Sequence, residues 1–202
     1  MCFKEITDFI VKNFIICYII YIDKLKKERM CAMKFKGYMP DYIFEKTANI
    51  TPQFLKQNNI NRLFLDVDGT LRRHKQMQAA DGVEEWIDLM HKNGIKLIIT
   101  SNNYKKYILP FAQLVNLPCV TFSAKPTPWG FFRAKFKMKV KFKNTLVVGD
   151  QLFTDVLGAH IIGMRAAMVL PVYHEEGVGF DIKRDFEQKY IDRYLKENGE
   201  FL

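Results

Sequence analysis

None of the four cysteines, Cys2, Cys17, Cys31 and Cys119, stands in a C-x-x-C pair. That pattern offers neither a zinc site nor a disulfide framework, and it fits a reducing compartment. The four histidines, His74, His91, His160 and His174, share no ligand spacing either and read as surface or packing residues. Acid is in short supply. The 22 aspartates and glutamates face 31 lysines and arginines, a net charge of +9 that favours anionic partners. Phosphorylated substrates, nucleic acid and acidic lipid all meet that description.

No apolar run has the length of a comfortable membrane span. From Phe9 to Ile22 the chain is apolar except at Lys12 and Asn13, and as a helix this stretch spans roughly 21 Å against a ~30 Å hydrocarbon core. No A-x-A-like cleavage site follows it, so a secretory signal is not expected. The basic cluster Lys24, Lys26, Lys27 and Arg29 lies on its C-terminal side, a flank that the positive-inside tendency keeps cytoplasmic. Residues 1–32 are therefore set apart as an apolar and basic extension. A short or interfacial anchor, translation upstream of the native start at Met30 or Met33, and a helix packed on the domain are all open readings. Residues 33–202 are read as one domain, with no internal repeat and no linker.

With 202 residues, 49% hydrophobic and 26% charged, the chain has material for a real core and is not disordered. Pro40 to Asn59 reads as a lead-in arm, with Thr51 capping a helix that starts at Pro52. Apolar runs at Arg62–Asp66, Ile95–Thr100, Cys119–Phe122, Thr145–Val148 and Ala167–Leu170 read as strands. Between them Val83, Trp86, Ile87 and Met90 recur at helical spacing and stop at Asn93-Gly94. The stripe from Tyr104 to Val115 is also helical, and Pro110 is expected to kink or restart it. Asp181 to Leu195 looks like a closing helix. Buried strands alternating with amphipathic helices imply an α/β fold, a three-layer α/β/α sandwich around a mostly parallel sheet.

Ligands of such sheets gather at the carboxyl ends of the strands, and every one of those ends is polar here. They read Asp66-Val67-Asp68-Gly69-Thr70-Leu71, then Thr100-Ser101-Asn102-Asn103, Ser123-Ala124-Lys125-Pro126 and Gly149-Asp150-Gln151. Asp66 and Asp68 are two apart and lean the same way while the chain is extended, and Gly69 permits a sharp exit. Carboxylates so crowded repel unless a cation sits between them, and magnesium, a hard cation that takes oxygen ligands, suits the site. Phosphoryl transfer follows naturally. Asp66 would attack phosphorus to give an aspartyl phosphate, with Asp68 as general acid and base. Lys125 would neutralise developing charge, and Ser101 would donate to a phosphoryl oxygen. Asn102 and Asn103, past a strand end, can donate to phosphate or headgroup oxygens or cap a helix, and Gly69 and Thr70 are placed with them at the substrate.

In order and in kind these four parts resemble the haloacid dehalogenase superfamily, whose phosphatases carry DxDGT[LV], a Thr or Ser, a Lys and a terminal acidic motif. The resemblance implies a haloacid dehalogenase-like, Rossmannoid fold with Asp66 as nucleophile and Asp68 as acid and base. It makes Asp150 a Mg2+ ligand together with Asp66 and the Asp68 carbonyl, and gives Asp155 the support of Lys125 or of the metal's surroundings. Gly149 to Gly158, with Ser101-Asn102-Asn103 and Ala124-Lys125-Pro126, is similar to subfamily IIIA. These YqeG-type proteins include phosphatidylglycerophosphate phosphatases. The likeness covers Met33 to about Pro171. That branch usually carries Asn where Gly69 stands here, and residues 1–32 have no counterpart in it.

Spacing leaves little room for a cap domain, since one helix fills Leu71 to Ile95 and one helix and strand fill Asn103 to Lys125. An open site suits a phosphate on something large, and an anionic phospholipid headgroup at the cytoplasmic face of the membrane is the expected partner. A nucleic-acid end is the alternative substrate. A receiver-like phosphorylation switch is the alternative of another class, and Asp68 separates the two because a switch has no use for a second acid that activates water. From Arg133 to Lys143 cations alternate with apolar residues. The first half reads as helix with Phe132 and Phe136 on one face, its lysines forming either a solvated face or a patch for anionic membrane.

Overall fold

Strand β2 (Arg62–Leu65) lies inside the sheet with a parallel neighbour on each side, which is why all but its first residue are buried. In the computed structural model, which describes residues 37–74, 76–173 and 178–202, the strands run β1-β6-β5-β2-β3-β4, every pair parallel. The others are β1 (Tyr42–Phe44), β3 (Lys96–Thr100), β4 (Cys119–Val120), β5 (Thr145–Gly149) and β6 (Arg165–Val169). The helices are α1 (Pro52–Gln57), α2 (Val83–Lys92), α3 (Lys105–Leu114), α4 (Trp129–Met138), α5 (Leu157–Ile161) and α6 (Val178–Asn198). The extension expected over residues 1–32 lies outside the described residues.

Alternate side chains of each strand feed two cores. Leu63, Leu65, Leu97, Ile99 and Val148 pack with Leu55, Trp86, Met90, Ile108 and Phe111 of α1 to α3. Phe64, Ile98 and Val147 pack on the other face with Phe131, Ala134, Val156, Ala159, Ile191 and Tyr194. The three-layer sandwich is thus as the patterning predicts. Helix α2 stops where the sequence says, because Gly94 takes φ 71° and the Ile95 and Gly94 amides return to Met90 and His91 at 3.0 Å each.

Three local expectations are corrected, and a fourth, the helix in the first half of Arg133–Lys143, stands. The arm contains strand β1, three residues at the sheet edge paired with β6, too short to show a period. Strand β4 ends at Val120 because Phe122 turns left-handed, at φ 50°. Pro110 does not restart α3, which runs through it; burial of Ile108, Phe111 and Ala112 carries the helix past one lost hydrogen bond. In α4 the buried face is Phe131 and Ala134, while Phe136 faces solvent. No helix among the described residues is long and apolar enough to cross a membrane.

Candidate active site

Chain order reverses between β2 and β5: strands step outward to β3 and β4 on one side, then return to β5 and β6 on the other. Doubly wound sheets bind ligands in the crevice at such a switch point. Leu65 and Val148 are in register, so Asp66 and Asp150 leave adjacent strands at nearly one level. Both carboxylates are buried.

Lys125 joins the acids from the β4–α4 loop. Its Nζ donates to Asp66 Oδ1 at 2.6 Å, to Asp155 Oδ1 at 2.6 Å and to the Thr100 carbonyl at 2.8 Å, which satisfies all three ammonium protons. Asp155 reaches back because Leu152–Val156 form a wide π turn. A Cβ on Gly149 would overlap its carboxylate, so the glycine before Asp150 is the clearance for Asp155. Burial pushes Asp66 up to about 8, with Asp155 and Asp150 adding to the effect and Lys125 partly offsetting it. Burial alone would lower the Lys125 ammonium, but Asp155 and Asp66 outweigh it and hold it above its ordinary value.

Carboxylate oxygens of Asp66, Asp150 and Asp155 lie within 4.8 Å of one another. Three acids against one ammonium leave a formal charge of 3 − 1 = 2 negative units, in hard oxygen donors, which fits a divalent cation such as magnesium. Gly69 is shaped to the same end. It sits at φ 94°, and a Cβ there would come 2.5 Å from Asp150 Oδ2.

Asp68 stands apart from the three clustered acids. Its carboxylate is outside the cluster, accepting from Arg72 Nε at 2.9 Å and from Asn103 Nδ2 at 2.9 Å. Arg72 is buried and also donates to the Tyr107 carbonyl at 3.2 Å. Sequence reasoning missed it, since a cation four residues on signals a pair only in a helix, and this segment is a loop.

The other expected residues divide by contact. Ser101 is buried at the end of β3, where its Oγ accepts from the Asn103 amide at 3.1 Å and keeps a hydroxyl proton to donate. Asn102 closes two bonds on Lys125, from Nδ2 to its carbonyl at 2.9 Å and from its amide to Oδ1 at 2.7 Å. It therefore positions the lysine loop. The Gly69 amide donates to the Arg72 carbonyl at 2.9 Å and its carbonyl accepts from Val172 at 3.0 Å. Thr70 is buried, its carbonyl held by Thr47 Oγ1 at 2.9 Å.

A doubly wound α/β domain with an acid and lysine cluster at its switch point defines a hydrolase of one large superfamily. The chain belongs to the haloacid dehalogenase-like hydrolases, whose family model matches residues 48–163. It is 32% identical over 164 residues to the probable phosphatase YqeG of Bacillus subtilis (strain 168), covering 81% of this chain and 95% of that protein. It is 25% identical over 161 residues to the ribonucleotide monophosphatase NagD of Escherichia coli (strain K12), covering 65% of this chain and 64% of that one. One solved structure superposes with a TM-score of 0.52 at 11% identity, over 68% of this chain and 82% of that one, and shares the fold.

Proposed function

We propose that the protein is a magnesium-dependent phosphatase that hydrolyses phosphomonoesters through an aspartyl phosphate on Asp66. The observation that carries this reading is the buried Asp66 carboxylate, 2.6 Å from the Lys125 ammonium, at the switch point of the sheet. Both named relatives are phosphatases, which supports the reaction class. Asp66, Asp150 and the Asp68 main-chain carbonyl would hold the ion. When bound, magnesium supplies positive charge to phosphoryl oxygens and keeps Asp66 ionised.

The chain's own groups then divide the work. Asp66 Oδ attacks phosphorus in line, the ester P–O bond breaks, and Asp68 delivers a proton to the departing alkoxide. Lys125 and the Ser101 hydroxyl stabilise charge on the transferring group. Water then attacks the phosphorus of the acyl phosphate, Asp68 takes its proton, and the bond from phosphorus to Asp66 Oδ breaks to release inorganic phosphate. Arg72 and Asn103 hold the Asp68 carboxylate in place for both proton transfers.

For the substrate we favour phosphatidylglycerophosphate, handled at the cytoplasmic membrane face. Support comes from the sequence resemblance, from the lack of an inserted cap among the described residues, and from the net charge of +9. Phosphate release should be orders of magnitude faster with phosphatidylglycerophosphate than with nucleoside monophosphates or sugar phosphates. Preference for nucleotides would move the assignment toward the NagD-like activity, and equal rates across the panel would defeat the lipid assignment.

A further inference from the structure

Between Asp88 and Asp150 the chain has no acidic residue, while eleven lysines and arginines fall in that interval. The interval contains β3, α3, β4 and α4, so these elements bring cations and no acid of their own to one lateral edge of the sheet, with Lys125 already paired to Asp66 and Asp155. At the carboxyl end of that edge, on two loops and at the first residue of α4, three large rings face solvent. Tyr104 is 62% exposed, Phe122 62% and Trp129 46%. Tyr104 and Phe122 stack on each other, centroids 5.9 Å apart at 30°.

The backbone holds this arrangement. Phe122 keeps a φ of 50°, a left-handed conformation that residues with a β-carbon seldom adopt. Its amide donates to the Asn103 carbonyl at 3.0 Å, and Arg133 Nη1 donates to the Thr121 carbonyl at 2.8 Å. Lys105 and Lys106 follow Tyr104 directly and are exposed. The rim thus combines amphipathic rings with exposed cations, beside the loops that carry Ser101 and Lys125.

We propose that this rim docks on an anionic lipid bilayer, with Tyr104, Phe122 and Trp129 entering the headgroup layer and the flanking cations facing lipid phosphates. Aromatic side chains favour that interface, and cations add attraction to acidic lipid. A single-stranded nucleic acid would call for ring faces open to bases, whereas Tyr104 and Phe122 each cover one face of the other. The proposal rests on the phosphatase reading only for the reason that the site should meet a bilayer.

The test needs no turnover. Trp129 is a built-in probe, because the second tryptophan, Trp86, is buried with its Nε1 donating to the Ile50 carbonyl at 2.8 Å. The full chain is mixed with vesicles of brominated phosphatidylcholine, with or without phosphatidylglycerol, and both tryptophan emission and co-sedimentation are followed. Anionic vesicles should blue-shift and quench the emission and neutral vesicles should not; Trp129→Phe should abolish the change while leaving co-sedimentation in place. Replacing Tyr104 and Phe122 together by Ser should weaken vesicle binding about tenfold or more, with an unchanged melting temperature. Binding with Trp129 unquenched would place the contact elsewhere, for example on residues 1–32, and overturn the proposal. Absence of binding to anionic vesicles, or an unaffected double variant, would do the same. So would an oligonucleotide that shifts Trp129 where vesicles do not. Hydrolysis of para-nitrophenyl phosphate, measured in parallel, should be unchanged in the double variant. A wild-type chain without that activity would count against the catalytic reading and leave the docking result intact.

Discussion

Arg72 donates from Nε to Asp68 Oδ1 at 2.9 Å from a position closed to water. The guanidinium also lies 4.8 Å over the Phe111 ring and bonds the Tyr107 carbonyl, so it ties the first acidic loop to α3. Removing one member of a buried pair leaves the other charge uncompensated. Arg72→Met is expected to cost about 3–5 kcal/mol of stability. Arg72→Lys should recover little of it, because an ammonium cannot make the planar fork and the ring contact together. Chemical denaturation measures both, and a Met variant that loses under ~1 kcal/mol, the range of an exposed pair, contradicts the assignment.

Gly69 presents a narrower case. With φ at 94° and no space for a Cβ beside Asp150, Gly69→Ala should lose about 1–2 kcal/mol from backbone strain alone. It should also push the Asp150 carboxylate aside and raise the magnesium concentration needed for half-maximal activity. A magnesium titration of the variant checks this. An unchanged half-saturation point would show that Gly69 is not part of the metal cradle.

Metal removal should couple to pH through Asp66. Its folded value of about 8 lies above the ordinary 3.8, so the metal-free fold favours the protonated acid. For a carboxyl raised in this way, the stabilising contribution is complete below the unfolded value and is lost as pH climbs through the folded one. Without magnesium, the melting temperature of the wild type should therefore fall relative to Asp66→Asn between about pH 4 and pH 8 and level off above that. Added magnesium should restore it most at the alkaline end. A gap between the two proteins that closes or reverses with rising pH would contradict the shift.

Asn102 is expected to act on rate through Lys125. Asn102→Ala removes both bonds to the lysine backbone, at about 1–2 kcal/mol. In steady-state kinetics kcat should fall with KM for the substrate little changed. A rise in KM alone would return Asn102 to direct substrate contact.

The central strands, the closing of α2 and the polar strand ends were all legible in the sequence, because burial on both faces imposes continuous apolar runs and because Asn93-Gly94 has one geometric use. What was not legible depends on contacts distant in the chain. Strand β1 is a strand only because β6 lies beside it. The Asp68 carboxylate is held by Arg72 and Asn103, 4 and 35 residues along the chain. Asn102 and Thr70 have side chains that suit a ligand, and only the fold shows the one holding the backbone of Lys125 and the other buried. Gly149 gave no signal of its own, since its reason is the arrival of Asp155 on the following turn.

The group that carries the phosphoryl unit can be identified by trapping it. A reaction stopped by acid in the steady state and reduced with borohydride converts an acyl phosphate into the corresponding alcohol, which peptide mass spectrometry locates. Conversion confined to position 66, dependent on magnesium and absent from Asp66→Asn, is the predicted result. Turnover with no reducible intermediate, or with the label on Asp68, Asp150 or Asp155, would contradict it.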